Sequence, residues 1–406
     1  MESREIESLG KRRTDVGIRE TGGEGDLMIQ RIKEWAAQSR PLFETTWNEL
    51  HRRAELSWKE INTSAYLCAE LERIGIPYTT FADQTGIVAV WDEGAEGPTV
   101  ALRADLDALP HECDGGKRIV HSCGHDAHMT IALHAVQALK QCGWKPRGRL
   151  KLLLQPAEET GEGALSFIRK GVIDDIDHML GIHLRPIQEL PFGQASAAIY
   201  HGAAVQLRGH IKGVQAHAAR PHLGVNVIDS LASIVQAVNA VRTNPHIPCS
   251  AKVTQASAGG AINTIPDYAA FGIDLRAQTN EAMDDLLRHI QRAVQSAGQA
   301  NGAAVSLEQT ARMAAATPNA WAEAIVGKAI RDALGEAGWS PPVVTAGGED
   351  FHHYATENPR LAATMIGLGA DLGPGLHHPE MKFRTEALQH GVTIMAISAV
   401  HLFDAV

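Results

Sequence analysis

A thiol, several imidazoles and two adjacent carboxylates are the side chains in this sequence best suited to chemistry. Cys123 and His125 belong to a run of eight residues with one thiol and three imidazoles, where a helix is predicted to begin. Glu158 and Glu159 stand side by side at the predicted end of a strand. Thiolate, imidazole and carboxylate together bind borderline divalent ions such as zinc, manganese or cobalt. This combination predicts a metal centre.

Further donors lie far along the chain, at His183 after an apolar strand and at His377 and His378 in a Gly- and Pro-rich loop. Structural zinc sites usually take four Cys or His ligands from two close pairs, whereas catalytic sites keep an open position. Donors spread over about 250 residues favour a catalytic site. Glu158 and Glu159 then suggest a division of labour, in which one carboxylate binds metal and its neighbour is the general base for a water acidified by the ion.

Composition narrows the function classes. The 406 residues are 44% hydrophobic and 21% charged, which is typical of a folded chain of two or three domains. A net charge of −10 disfavours nucleic acid or an anionic membrane as the main partner. Five cysteines without a Cys-x-x-Cys pair favour a reducing compartment. With no apolar window long enough to span a membrane, the sequence predicts a cytoplasmic protein.

The elements that must position these donors alternate between strands and helices. Strands are predicted at 99–104 and 149–155, with a helix at about 128–142 between them. This alternation predicts a layered α/β domain with a largely parallel sheet. The candidate donors follow strand ends or precede a helix, which is where α/β sheets place their sites.

A second unit interrupts this alternation. Past about residue 203 the predicted order is strand, helix, strand, strand, helix, strand, which matches the ferredoxin-like βαββαβ motif. We therefore expect a flexible leader at 1–25, a discontinuous catalytic α/β domain at 26–200 and 313–406, and an inserted domain at 201–312.

Seven ordered motifs resemble a known family over about residues 40–400. They are RADLDALP (103–110), HSCGHDAH (121–128), QPAEE (155–159), GIH (181–183), GVQAH (213–217), GGAINTIPD (259–267) and EDF (349–351). In this order they resemble the aminoacylase/carboxypeptidase metallohydrolase family. The resemblance is strongest to its amidohydrolase branch of hippurate hydrolases, N-acyl-amino-acid hydrolases and auxin-conjugate hydrolases.

The resemblance implies a site with two divalent ions per subunit, manganese or zinc, with cobalt and nickel as alternatives. Cys123 would bridge the ions. The other implied ligands are His125, Glu159, His183 and one histidine of the 376–379 loop, where the family pattern favours His377 and leaves His378 open. The general base would be Glu158.

The resemblance also implies roles around the metals. Asp105 and Asp107 would orient the histidine ligands. The inserted domain would be a lid and dimerisation domain, from which His217 stabilises the oxyanion. Asn263 and Arg276 would hold a substrate carboxylate. From the residues alone, Asn263 could instead close a turn, and Arg276 could be an exposed edge residue.

The sequence thus predicts a metal-dependent hydrolase that cleaves the amide of an N-acyl amino acid or a similar small amide. A homodimer or larger homo-oligomer formed through the lid is expected. Three alternatives stay open: hydrolytic deamination of an amino-aromatic acid at the same site, a non-catalytic protein that binds an amino-acid conjugate, and an enzyme with Cys123 as its nucleophile.

Overall fold

The chain forms two compact units in a computed structural model that describes residues 23–113 and 116–405. The second unit contains Tyr200–Thr317 and Val344–His353, and the first contains the other described residues. The sequence analysis places Val344–His353 in the catalytic domain, whereas the structure groups these residues with the second unit. Residues 1–22 of the predicted leader lie outside the described residues, whereas residues 23–25 begin a helix.

Helices and strands alternate along much of the chain. The helices are α1 (Gly23–Gln38), α2 (Arg40–His51), α3 (Ile61–Ile74), α4 (His125–Gln141), α5 (Gly163–Arg169), α6 (Val227–Ala240), α7 (Asn280–Ala300), α8 (Ala320–Leu334), α9 (His352–Glu357) and α10 (Ala387–Asp404). The strands are β1 (Tyr78–Thr80), β2 (Ile87–Asp92), β3 (Thr99–Asp105), β4 (Leu109–Cys113), β5 (Gly116–Val120), β6 (Arg149–Gln155), β7 (His178–Pro186), β8 (Ala195–Ser196), β9 (Ile199–His201), β10 (Ala203–Lys212), β11 (Ala216–His217), β12 (Cys249–Ala258), β13 (Thr264–Ile265), β14 (Tyr268–Ala277), β15 (Ala304–Met313), β16 (Trp339–Ser340), β17 (Val343–Thr345) and β18 (Ala362–Leu372).

The first unit is built on an eight-stranded sheet with the order β1-β2-β6-β3-β7-β18-β8-β16. Its centre is parallel, because β3 pairs in parallel with β6 and β7, and β18 with β7. The outer pairs β1·β2, β2·β6 and β8·β18 are antiparallel. The α/β class is confirmed, but the expectation of a largely parallel sheet is wrong for these outer strands. The link between β1 and β2 is too short for the crossover that a parallel pair needs.

The core lies between this sheet and the helices beside it. Strand β3 is buried along its whole length, as expected for a central strand covered on both faces. Helix α4 contacts β3 and α10, and its side chains from His125 to Leu139 are buried. It begins at His125, three residues before the predicted start, because Gly124 ends the preceding loop in a left-handed conformation (φ 88°). His125 therefore lies in the first turn of the helix.

The second unit has a four-stranded antiparallel sheet in the order β12-β14-β10-β15, together with α6 and α7. A separate two-stranded ladder joins β11 to β13. Helix α7 buries one face through residues at helical spacing, namely Met283, Leu286, Ile290 and Val294. Its N-terminus is capped by the Thr279 side chain, which accepts a hydrogen bond from the Ala282 N–H.

Helices that could cross a lipid bilayer, by length and apolar character, are not found among the residues that the structure describes.

The core position of β3 predicts a large effect of truncation. Leu102 is fully buried on this strand, so Leu102→Ala should lower the free energy of unfolding by about 2–5 kcal/mol. Leu27→Ala is the matched control in the same unit, since Leu27 is 66% exposed and its truncation should change stability little. Urea denaturation of both variants measures the difference. Equal stabilities would contradict the burial of β3.

Candidate metal centre

Three chain segments converge at one edge of the central sheet. Strands β3 and β6 run in parallel with Asp105 opposite Gln155, so the segments that follow them leave the sheet side by side. The first turn of helix α4 lies beside these segments. There the Nδ1–H of His125 donates to the main-chain carbonyl of Asp107 at 2.8 Å. The loop after β6 contributes a 3-10 turn, Glu158–Thr160. The Glu158 and Glu159 N–H groups both donate to the Asp107 carboxylate, at 3.1 and 3.0 Å.

All five predicted metal ligands come together here. Ligand atoms of Cys123, His125 and His183 lie within 4.8 Å of one another, as do those of Cys123, Glu159 and His377. The Cys123 Sγ lies 3.5 Å from His183 Nε2, and the His377 Nε2 lies 3.5 Å from a Glu159 oxygen. The two groups share Cys123.

The histidines of this cluster turn one ring nitrogen toward it. His183 donates its Nδ1–H to the Leu184 carbonyl at 2.7 Å, much as His125 donates to Asp107. These bonds fix the tautomer and leave each Nε2 as the potential ligand atom. The buried Nε2 of His125 has no hydrogen-bond partner among the described residues. A buried ring nitrogen without a partner is costly unless something binds it, so the residues present fit a metal ion.

The loop between β18 and α10 distinguishes the two candidate histidines. His377 adopts a left-handed backbone conformation (φ 61°) and donates its N–H to the Ser122 carbonyl at 2.8 Å. The Nδ1 of His378 instead accepts a hydrogen bond from the Glu380 N–H at 3.1 Å. The structure therefore brings His377, and not His378, to Cys123 and Glu159.

The charges at the cluster also suit a cation. Burial and the nearby Glu159 carboxylate raise the pKa of the Cys123 thiol well above its usual value. Burial lowers the pKa of His183 and of His377, so both imidazoles are neutral near pH 7. A cation at this place would reverse the effect on the thiol, because a coordinating thiol is deprotonated.

Glu158 lies beside the cluster. The residue is 5% exposed, and one carboxylate oxygen is 3.8 Å from His125 Nε2. Its ligand atom groups with those of His125 and Glu159 within 4.8 Å. Glu158 is thus placed where it can either bind metal or exchange a proton with a reacting molecule.

Asp105 lies beside the histidines and contacts them through its carboxylate. Burial opposes its ionisation, but the charges of His125 and Arg103 hold its pKa well below the usual range. The carboxylate accepts hydrogen bonds from Arg103 and from His128 Nδ1, both at 2.9 Å. His128 Nε2 in turn accepts from the Leu184 N–H at 3.1 Å, which ties Asp105 to the strand that carries His183.

The sequence analysis did not identify two residues before helix α3 that bind the segments of this cluster. Ser57 donates its hydroxyl to the Asp107 carboxylate at 2.7 Å. Glu60, just before α3, accepts a hydrogen bond from the Ala157 N–H at 2.9 Å. Polar residues before a helix are ordinary capping residues, so the sequence carries no signal for contacts with partners about 50 and 97 positions away.

The predicted residues of the second unit are described within that unit. His217 is exposed on β11, and the adjacent Ala218 N–H donates to the Asn263 carbonyl at 2.9 Å. The ladder thus brings His217 and Asn263 together. The Arg276 guanidinium binds the Asp274 carboxylate through two hydrogen bonds of 2.9 and 3.1 Å.

Residues 101–400 match the model of Peptidase family M20/M25/M40. The N-acetyl-L-cysteine deacetylase of Bacillus subtilis is 30% identical over 368 residues, which cover 88% of this chain and 87% of that protein. The IAA-amino acid hydrolase ILR1-like 2 of Arabidopsis thaliana is 30% identical over 370 residues, which cover 87% and 83%.

A solved structure shares the fold. The YXEP protein of Bacillus subtilis, described as a dinuclear metal-binding peptidase of the M20 family, superposes with a TM-score of 0.77. The alignment has 22% identity and covers 91% of this chain and 99% of that one. The chain belongs to Peptidase family M20/M25/M40, and it is a metal-dependent hydrolase that acts on carbon–nitrogen bonds.

Proposed function

We propose that this hydrolase cleaves the amide bond of an N-acyl amino acid, or of a similar small amide that carries a carboxylate. The observation that carries the proposal is the pair of donor groups sharing Cys123, with the Glu158 carboxylate beside them. Both curated relatives are named for the hydrolysis of an amino-acid conjugate, which supports this substrate class.

The ligands in this proposal are the five clustered side chains Cys123, His125, Glu159, His183 and His377. They would hold two divalent ions, with Cys123 as the bridge. When bound, such ions polarise a carbonyl oxygen and lower the pKa of water toward ~7. The thiol favours zinc, while the imidazoles and carboxylates also suit manganese, with cobalt and nickel as alternatives.

Glu158 is the general base. It takes a proton from the water that attacks the amide carbon and returns it to the leaving nitrogen when the C–N bond breaks. The products are a carboxylic acid and a free amine. Asp107 supports this role because it holds the Glu158 main chain through the N–H group.

The second unit supplies the remaining roles in this proposal, as a ferredoxin-like lid and dimerisation domain. Its strand and helix order and its antiparallel sheet support this assignment. Strand β12 lies at the edge of that sheet, where a second copy could add strands. His217 would stabilise the oxyanion, and Asn263 and Arg276 would hold the substrate carboxylate. To do so, Arg276 must either bind the substrate and Asp274 together or release Asp274 when the substrate binds.

Replacing the general base tests the assignment of Glu158. In Glu158→Gln, kcat should fall by about 10²–10⁴-fold, because the amide cannot accept the proton. Metal content, measured by plasma mass spectrometry, should equal that of the unaltered protein. Turnover at the original rate would remove Glu158 from this role.

Metal removal separates a metal enzyme from one with Cys123 as nucleophile. Dialysis against a chelator should abolish turnover, and zinc or manganese should restore it, because the metal is needed to activate the water. A cysteine nucleophile would keep its activity after chelation. Activity that survives complete metal removal therefore contradicts the proposal.

A substrate screen tests the bond that is cleaved. N-acetyl and N-benzoyl amino acids should release a free amine, detected by a ninhydrin-type assay, whereas amino-aromatic acids should release no ammonia. Ammonia release would favour deamination at the same site instead. Tight binding of a conjugate without turnover of any compound would favour a binding protein.

A further inference from the structure

Glu60 is a fully buried carboxyl group without a role in the proposed reaction. One of its oxygens accepts a hydrogen bond from the Thr85 hydroxyl at 2.5 Å. The other oxygen accepts from two main-chain N–H groups, those of Trp58 at 3.0 Å and Ala157 at 2.9 Å. Burial raises the pKa of Glu60, and the hydrogen bonds from Thr85 and Ala157 oppose that rise. Both oxygens of the Glu60 carboxyl group thus accept hydrogen bonds from these three donors.

Both main-chain partners have an unusual conformation. Trp58 (φ 65°) and Ala157 (φ 57°) are left-handed, which is unfavourable for a residue with a Cβ atom. Among the described residues, only four residues other than glycine have a positive φ, and a single Glu60 oxygen binds two of them. Such conformations persist where surrounding contacts hold them. Glu60 supplies such a contact to both.

Ala157 matters because it precedes the candidate base. Its N–H binds Glu60, and the next two N–H groups, of Glu158 and Glu159, bind the Asp107 carboxylate. Three successive N–H groups therefore face two buried carboxylates, an arrangement in which main-chain dipoles attract anions. The φ and ψ angles of Ala157 set the direction in which the Glu158 side chain leaves the turn.

We propose that Glu60 is a positioning residue for Glu158, which it aims at the reacting atoms by holding Ala157 in the left-handed conformation. This inference rests on the proposed function, in which Glu158 is the general base. It assigns Glu60 no contact with substrate or metal. Because misplacing a reacting group by about 1 Å can cost about 10²-fold in rate, a loosened turn should lower kcat.

Glu60→Met tests the proposal, because methionine has a similar length and cannot accept these hydrogen bonds. We expect kcat to fall about ten- to hundredfold, with KM within about threefold and metal content unchanged. Glu60→Gln should recover most of this loss. Its carbonyl oxygen can accept both N–H groups while its amide donates to the Thr85 hydroxyl.

Thr85→Val is the matched control. It removes the hydroxyl that binds one Glu60 oxygen and leaves the oxygen that binds Ala157. We expect a lower melting temperature with kcat within about threefold of the original value. If Thr85→Val lowers kcat as much as Glu60→Met does, the effect is general loosening of the fold and the proposal is overturned. An unchanged kcat in Glu60→Met would also overturn it.

Two further variants keep the test decisive. If Glu60→Met yields no folded protein, Glu60→Asp replaces it, since it keeps a carboxyl group that is too short to reach Ala157. A kcat equal to the original would then overturn the proposal. Glu158→Gln is measured in parallel with the best N-acyl amino acid of the screen. If Glu158→Gln still turns over substrate, the proposed function itself is contradicted. If Glu158→Gln is inactive while Glu60→Met is fully active, only the role of Glu60 is contradicted.

Discussion

The Asp107 side chain and main chain join three segments on which the candidate centre depends. Its carboxylate accepts the N–H groups of Glu158 and Glu159, and its carbonyl accepts the Nδ1–H of His125. Although burial opposes ionisation, the contact with His125 lowers the pKa of Asp107, so the carboxylate is charged at neutral pH. One residue thus holds Glu158, Glu159 and His125 in place relative to one another.

This constraint explains why the donors fit a cation. The parallel pairing of β3, β6 and β7 brings the segments after the strands to one edge, and burial then removes water from them. Burial, and then the Glu159 carboxylate, disfavour the charged form of the thiol and raise the pKa of Cys123. A divalent ion bound there would favour the deprotonated thiol instead.

The clustered side chains were easier to predict from the sequence than the residues that hold them in place. Cys123, His125, Glu158 and Glu159 could be found because rare residue types stand at strand and helix ends. Ser57 and Glu60 could not, since their partners lie far away in the chain and only the fold brings them together. The choice between adjacent histidines depended on the main-chain conformation of one loop, which residue types do not determine.

The backbone shows the same limit. The paired central strands followed from their continuous apolar runs, whereas the antiparallel direction of the outer strands depends on connections that the apolar pattern does not describe. The left-handed Ala157 is a further case, because a sequence with alanine at this position predicts an ordinary conformation. Its contact with the distant Glu60 carboxyl group is visible only in the fold.

The proposed two-ion centre bridged by Cys123 is tested most directly by a crystal structure of the protein grown with zinc or manganese. Anomalous data should be collected at the metal edge. Two anomalous peaks are expected, with Cys123 Sγ between them. The nearest ligand atoms of His125, Glu159, His183 and His377 should lie about 2.0–2.3 Å from a peak. Peaks at other residues, or a fully loaded active protein with no ion bound to Cys123, would contradict it.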